Sequence, residues 1–376
     1  MSAPKSLAHT VYSSPPVAAN LADIEKTLAG LWDSVSPSAG AVGGQTLTRA
    51  CMSNLVVYCD SQADANTVLE YLPRIVEVHP ARILFLVGET SEAEDLTAFV
   101  SVHYRSVSEG WQLCAEQVTV YCHKSAAKRL PSIPRALCIG NLPIALWWVS
   151  NQPPPLAGEI FHNLAAGADQ VIFDSIGWRD PAQGIQAVAR WIAGNEEQVI
   201  YNLAWRRLKA WRKLMSESLA PEVTPGALHN VKRLEIEHGP HALPVAWMLV
   251  GWLAVRLKWR PVSAKVISQS AITWRFERED GRVDVLIRRR DEGEARVYQL
   301  LWHWAGNGDC TVTFSRLGER TLGVKSVAAH VAETVIAMPD VGHAELVAQQ
   351  LAHRFHDELF EDVLALSDQM VGVLGK

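Results

Sequence analysis

MSNLVVYCDSQADANTVLEYLPRIVEVHPARILFLV, residues 52–87, is the stretch that decides the class of fold. Met52 to Cys59 is short, apolar and rich in valine, and Asp60 and Ser61 bound it, as a buried strand requires. Asp60 or Ser61 can cap a helix over Gln62 to Val78, in which Val68, Leu69, Leu72, Ile75 and Val76 fall at helical spacing. Pro73 stands inside that stretch, placed to kink or split it. Ile83 to Val87 returns as a second buried strand. Strand, helix and strand within about 35 residues make a βαβ unit, with parallel pairing through a right-handed crossover.

Upstream, Val17 to Trp32 has helical spacing (Leu21, Ile24, Leu28, then Leu31 or Trp32), followed by a Gly/Ser/Pro-rich loop over 34–44. Downstream, Leu96 to Val107 and Trp111 to His123 read as a hairpin turning at Ser108, Glu109 and Gly110. Ser125 to Cys138 looks helical despite Pro131 and Pro134, and Leu142 to Val149 and Val171 to Asp174 are strand-like. Helices are expected over 159–166 and 183–192, the second started by Asp180 and Pro181. These elements predict an α/β domain with a mixed, partly parallel sheet over 46–222, behind an N-terminal segment and helix over 1–45.

Asn202 to Leu219 is the clearest amphipathic helix, and Pro221 with Pro225-Gly226 marks a hinge after it. From 223 to 376 the pattern predicts an α+β domain with an antiparallel sheet. An apolar helix, Ala242 to Trp259, precedes strand signals at 262–278, 282–290, 296–304, 311–316 and 320–327. Asp280-Gly281 and Asn307-Gly308 are turn dipeptides between them. A helical tail, Gly342 to Leu374, spaces Leu346, Leu351, Phe355, Leu359 and Val363 for burial.

Bulk properties narrow the function. A chain of 376 residues, 48% hydrophobic and 20% charged, is globular and long enough for two cores. A net charge of -5 gives no electrostatic case for nucleic acid. The most apolar run, Ala242 to Val255, is shorter than the ~20 residues of a spanning helix, so no membrane association is expected. The first residues lack an apolar signal core, so secretion is not expected either. The 6 cysteines form no CxxC pair and lie mostly in strand-like runs, which suits reduced thiols in the cytoplasm. The 14 tryptophans serve mainly core packing on this reading.

Catalytic and cofactor motifs are missing: there is no GxxxxGK[ST], no GxGxxG after a strand, no GxSxG and no HExxH. No catalytic residue, metal or cofactor is therefore assigned. His353 and His356 share a spacing that can hold a metal, but no third ligand is nearby in sequence. Asp174 and Ser175 end a buried strand, where α/β folds place functional side chains, and Arg82 is suited to a carboxylate or phosphate. These three are the candidates for a ligand site. Trp205, Arg206, Arg207, Trp211 and Arg212 form an Arg/Trp strip that is either a solvated helix face or a docking surface for an acidic partner.

The segments NLVVYC (54–59), HPARILFL (79–86), NLPIALWW (141–148), VIFDS (171–175), NLAWRRLKAWR (202–212) and GWLAVRLKW (251–259) resemble, in order, the OpcA proteins, the glucose-6-phosphate dehydrogenase assembly proteins. The resemblance implies a bacterial cytoplasmic protein that binds glucose-6-phosphate dehydrogenase, promotes its active oligomer and supports NADPH production in the oxidative pentose phosphate pathway. It implies activation without catalysis. Family members often carry aspartate where this chain has Asn202. The competing expectation from the residues alone is an α/β enzyme or binder of a sugar phosphate or nucleotide.

Overall fold

The computed structural model describes residues 11–38, 46–49, 51–88, 96–107, 110–122, 124–306, 308–327, 331–337 and 342–374. The first sheet contains β1 (Val11–Ser13), β2 (Val17–Ala19), β3 (Thr46–Arg49), β4 (Ser53–Cys59), β5 (Ala81–Val87), β6 (Leu96–Val107), β7 (Gly110–Cys122), β8 (Ile144–Val149), β9 (Gln170–Phe173) and β10 (Val199–Asn202). With it run α1 (Ile24–Ser38), α2 (Gln62–Val78), α3 (Ser132–Leu137), α4 (Glu159–Ala165), α5 (Pro181–Ala193), α6 (Leu203–Arg207) and α7 (Lys209–Ser218).

The β4–α2–β5 unit forms as its sequence dictates. Leu55, Val57 and Cys59 enter one core and Val56 and Tyr58 the other; burial on both faces is why this strand is an unbroken apolar run. Ser61 caps α2 by accepting the Asp64 N–H, and Pro73 is accommodated without ending the helix. β5 pairs parallel to β4, with Leu55 opposite Ile83.

Six strands run parallel in the order β7-β5-β4-β8-β9-β10. Ranked by position in the chain, this is 3-2-1-4-5-6, the order of a doubly wound dinucleotide-binding sheet. The chain winds outward from β4, then crosses back to β8, leaving a switch point at the carboxyl ends of those two strands. β6 joins β7 antiparallel, and β1, β2 and β3 pair along these outer strands.

The second sheet is formed by β11 (Val231–His238), then, after α8 (Leu243–Leu257), by β12 (Arg260–Ser268), β13 (Ala271–Arg278), β14 (Gly281–Arg289), β15 (Val297–Gly306), β16 (Gly308–Gly318), β17 (Thr321–Val327) and β18 (Val331–Ala337). Neighbouring strands are antiparallel except β11 and β14, which are parallel. The apolar helix is α8, buried continuously from Pro244 to Ala254. A Cβ on Gly251 would lie 3.1 Å from side chains of Val363 and Ser367, so glycine here admits a close helix neighbour.

That neighbour belongs to the tail, which is two helices, α9 (His343–Ala352) and α10 (Glu358–Gly372). α9 packs on α2, with Leu346, Val347 and Leu351 in the same core as Leu55 and Ile172. α10 packs on α5 and α8 in the opposite core. Residues 353–357 therefore carry the chain around β10, the outermost strand of the first sheet. Gln170 Nε2 donates to the His353 carbonyl at 2.7 Å, the Tyr201 hydroxyl donates to the Phe355 carbonyl, and Trp205 Nε1 donates to Asp357 Oδ2 at 2.8 Å.

Several expectations are revised. Val17–Ala19 is a strand, and α1 begins at Ile24 and extends through Ser38 into the expected loop. The amphipathic helix breaks at Leu208. The long strand at 262–278 is a hairpin, and β10, β11 and β18 are additional strands. Phe355 is 79% exposed, because the helical tail breaks there. The stretch expected as a hinge is held by buried Leu219, Thr224 and Ala227, with Trp302 Nε1 donating to the Ala227 carbonyl at 3.0 Å. The turn residues Ser108, Glu109 and Asn307 lie outside the described residues.

Candidate functional site

Doubly wound sheets bind dinucleotides at the switch point, with the pyrophosphate on the first helix N-terminus and glycines admitting its close approach. Here the β4–α2 turn is Cys59-Asp60-Ser61-Gln62 and holds no glycine. The Ser61 hydroxyl accepts the Asp64 N–H at 3.1 Å and donates to Asp64 Oδ2 at 2.6 Å. Across the switch point the Ser150 hydroxyl donates to Asp60 Oδ2 at 2.5 Å. A pyrophosphate would meet two carboxylates, Asp60 and Asp64, at a helix end whose cap is already made. These residues do not fit NADP or a related dinucleotide.

Further along the carboxyl edge the polar side chains satisfy one another. Asn202 accepts the backbone N–H groups of Ser175 at 3.2 Å and Ala204 at 3.0 Å, capping α6, and its amide donates to the Ser175 hydroxyl at 2.9 Å. An aspartate at this position could keep both acceptor bonds. Asp174 Oδ1 accepts the Ile176 N–H at 3.1 Å, and Oδ2 accepts Arg207 Nη1 at 2.6 Å. Arg207 Nη2 lies 3.0 Å from His343 Nδ1. Because arginine only donates, Nδ1 is the acceptor and the imidazole is neutral, with its proton on Nε2.

Burial, reinforced by Arg207 and opposed by Asp174, lowers the His343 pKa to about 4. Its ring lies 5.2 Å from that of Tyr71, nearly parallel, and 5.7 Å from that of Trp147. The first residue of α9 thus fills space beside β8 and β9. Ser175 is 1% exposed and bonded to Asn202, and the His343 nitrogen that could act as a base is engaged by Arg207. The cluster ties segments together and offers no activated nucleophile.

The remaining candidates fall elsewhere. Arg82 is 4% exposed at the amino end of β5, the opposite edge from Asp174 and Ser175, so the three do not form one ligand site. It donates to the Leu137 carbonyl at 2.8 Å and pairs with Glu25 at 2.8 Å and Glu116 at 3.1 Å, fixing α1 to the sheet. Trp205 and Trp211 are 0% and 2% exposed, so they pack in the core and belong neither to a solvated face nor to a docking surface. Their helices turn the apolar side inward, and the indoles follow it.

Of the three arginines in the strip, Arg212 stacks 3.4 Å above the Trp205 ring, Arg207 binds Asp174 and His343, and Arg206 is partly exposed. His353 Nδ1 faces the Gln349 carbonyl and His356 Nδ1 faces Glu361; among the described residues no cluster of three or more metal-ligating side chains occurs. Sequence reading missed His343 and Asp60 as site residues. Their partners lie far away in the chain, and no local motif marks them.

Solved structures with this architecture include a 3-ketoreductase variant from Actinomadura kijaniata in complex with TDP-benzene and NADP (TM-score 0.50, 12% identity, 86% of this chain and 97% of that one). An oxidoreductase from Sinorhizobium meliloti is similar (TM-score 0.50, 11% identity, 85% and 97%). These likenesses are of fold alone, and in this chain the switch-point turn is occupied by its own carboxylates.

The chain belongs to the OpcA family. Residues 73–190 match the family described as the N-terminal domain of the glucose-6-phosphate dehydrogenase subunit, and residues 198–364 match the family described as its C-terminal domain. An OpcA protein of Nostoc punctiforme, named for the OxPP cycle, is 30% identical over 219 residues, 57% of this chain and 44% of the relative. One from Synechocystis is 28% identical over 193 residues, 50% of this chain and 39% of the relative. The matched part spans less than half of those curated relatives. Among the described residues no helix is long and apolar enough to cross a membrane.

Proposed function

We propose that this protein is a non-catalytic assembly factor that binds glucose-6-phosphate dehydrogenase in the bacterial cytoplasm and favours its active oligomer, raising NADPH production in the oxidative pentose phosphate pathway. The observation that carries this reading is the pair of family matches, both described as parts of a glucose-6-phosphate dehydrogenase subunit. The switch-point geometry supports it, because Asp60 and Asp64 stand where a hydride donor's pyrophosphate would bind. A partner that prefers the active oligomer shifts the equilibrium by its differential affinity, on the order of 1–3 kcal/mol, or roughly 5- to 150-fold.

The test is a titration of the purified chain into its cognate dehydrogenase, following activity and sedimentation together. Growth of both with added chain supports the reading, and no change in either overturns it. A second reading, a binder of a sugar phosphate or nucleotide, draws on the doubly wound order of the sheet. Marked thermal stabilisation of the chain alone by one such compound would favour it.

A further inference from the structure

Phe355 has the most exposed large apolar side chain among the described residues, at 79%. An open phenylalanine contributes little to the fold, yet its loop is fastened on both sides. The His353 carbonyl accepts Gln170 Nε2 at 2.7 Å, and the His353 N–H donates to the Gln350 carbonyl at 2.9 Å. The Phe355 carbonyl accepts the Tyr201 hydroxyl. Asp357 caps α10 through the Phe360 N–H at 3.1 Å and accepts Trp205 Nε1 at 2.8 Å. The ring therefore projects from a backbone already ordered by folding, which reduces the entropy lost when it enters a partner.

The charges around the ring indicate what that partner offers. Arg354 is exposed next to it in the chain and within electrostatic reach of His79, and Arg206 is partly exposed within electrostatic reach of Tyr201, as are Asp357 and Glu361; the Tyr201 hydroxyl holds the Phe355 carbonyl. Among the described residues neither arginine has a carboxylate at ion-pair distance. The nearby acids are Asp357, engaged by Trp205 and the α10 cap, Glu361, paired with His356 at 2.9 Å, and exposed Glu358. Aromatic residues and arginine are among the types enriched at interface cores.

We propose that Phe355, with Arg354 beside it in the chain and Arg206 near its Tyr201 anchor, is the docking knob of this chain and enters an apolar socket rimmed by carboxylates on the partner protein. Taking glucose-6-phosphate dehydrogenase as that partner rests on the functional reading above. The knob supplies contact area and the two cations supply steering, so their substitutions have different signatures.

The experiment measures binding of the full chain, and of F355A, F355D, F355W and the double variant R206E/R354E, to the cognate dehydrogenase at low and high salt. Thermal unfolding and sedimentation of each variant alone accompany it. F355A and F355D should weaken binding on the order of 30-fold or more with an unchanged unfolding midpoint, while F355W retains it. R206E/R354E should weaken binding about 10-fold at low salt and less at high salt, mainly through the association rate. Wild-type affinity in folded F355A or F355D overturns the knob, as does an effect confined to self-association of the chain. If the wild-type chain itself does not bind the dehydrogenase, the functional reading falls and this assignment of the knob falls with it.

Discussion

Arg207 reaches Asp174 at 2.6 Å from the first turn after β10, and this bond joins α6 to the end of β9. Through its other amino group, 3.0 Å from Nδ1 of His343, it also fastens the start of α9. One guanidinium thus connects three segments that are distant in the chain. Both members of the ion pair are partly exposed, so screening limits its strength.

Replacing Arg207 with Ala should destabilise the protein by about 1–2 kcal/mol, since it leaves Asp174 and His343 without their shared donor. Urea unfolding at neutral pH measures this. R207K should recover only part of the loss, because an ammonium cannot match the forked geometry.

The histidines predict how stability changes with acid. Burial is the main cause of the lowered pKa at His79, His103, His238 and His343, the last to about 4 from 6.5. Above 6.5 these groups are neutral in folded and unfolded chains and cost nothing. As pH falls below 6.5 the unfolded chain takes up protons that the folded chain refuses, so stability declines. For His343 alone the loss by pH 4 is on the order of 2–3 kcal/mol. Denaturant midpoints measured from pH 7.5 to 4.5 should fall with decreasing pH, and H343Q should flatten part of the slope.

Trp205 and Trp211 should behave as core residues. W205A removes a fully buried indole, its bond to Asp357 and the platform under Arg212, and should cost about 3–5 kcal/mol. The readout is equilibrium unfolding, and W211A, which leaves the Trp205–Asp357 tie intact, should lower the midpoint without a selective loss of binding to the proposed partner. Selective loss of binding with an unchanged midpoint would return these indoles to the interface.

Neither NADP+ nor NADPH should raise the melting temperature of the chain. A ligand at 100 times its Kd would add about 2.7 kcal/mol, an easily seen shift. Such a shift would contradict the reading of Asp60, Asp64 and Ser150 as incompatible with a pyrophosphate.

The βαβ unit was legible because burial on both faces of β4 and β5 leaves an apolar run, and because Asp60 and Ser61 mark the start of α2. β10 is only four residues long and merges with the α6 cap, so the helical pattern after it obscured it. β11 reads VKRLEIEH, and its exposed Lys232 and Arg233 hid an otherwise alternating pattern. The two tryptophans of the Arg/Trp strip could not be placed because sequence gives the composition of a helix while packing decides which side turns inward. Phe355 fitted an apolar spacing that holds only in an unbroken helix, and the Asp357 cap breaks it. The Asp174–Arg207–His343 cluster depends on a contact more than 100 residues apart in the chain, which no local pattern encodes.

The path of residues 353–357 around β10 also has a temporal meaning. During synthesis β10 emerges well before the segment that wraps it, and the whole second sheet is made in between. The nascent first domain therefore waits with an apolar face that α9 later covers, a feature that invites association with other chains. Truncation before α9 should therefore yield an aggregating product even though every strand of the first sheet is present.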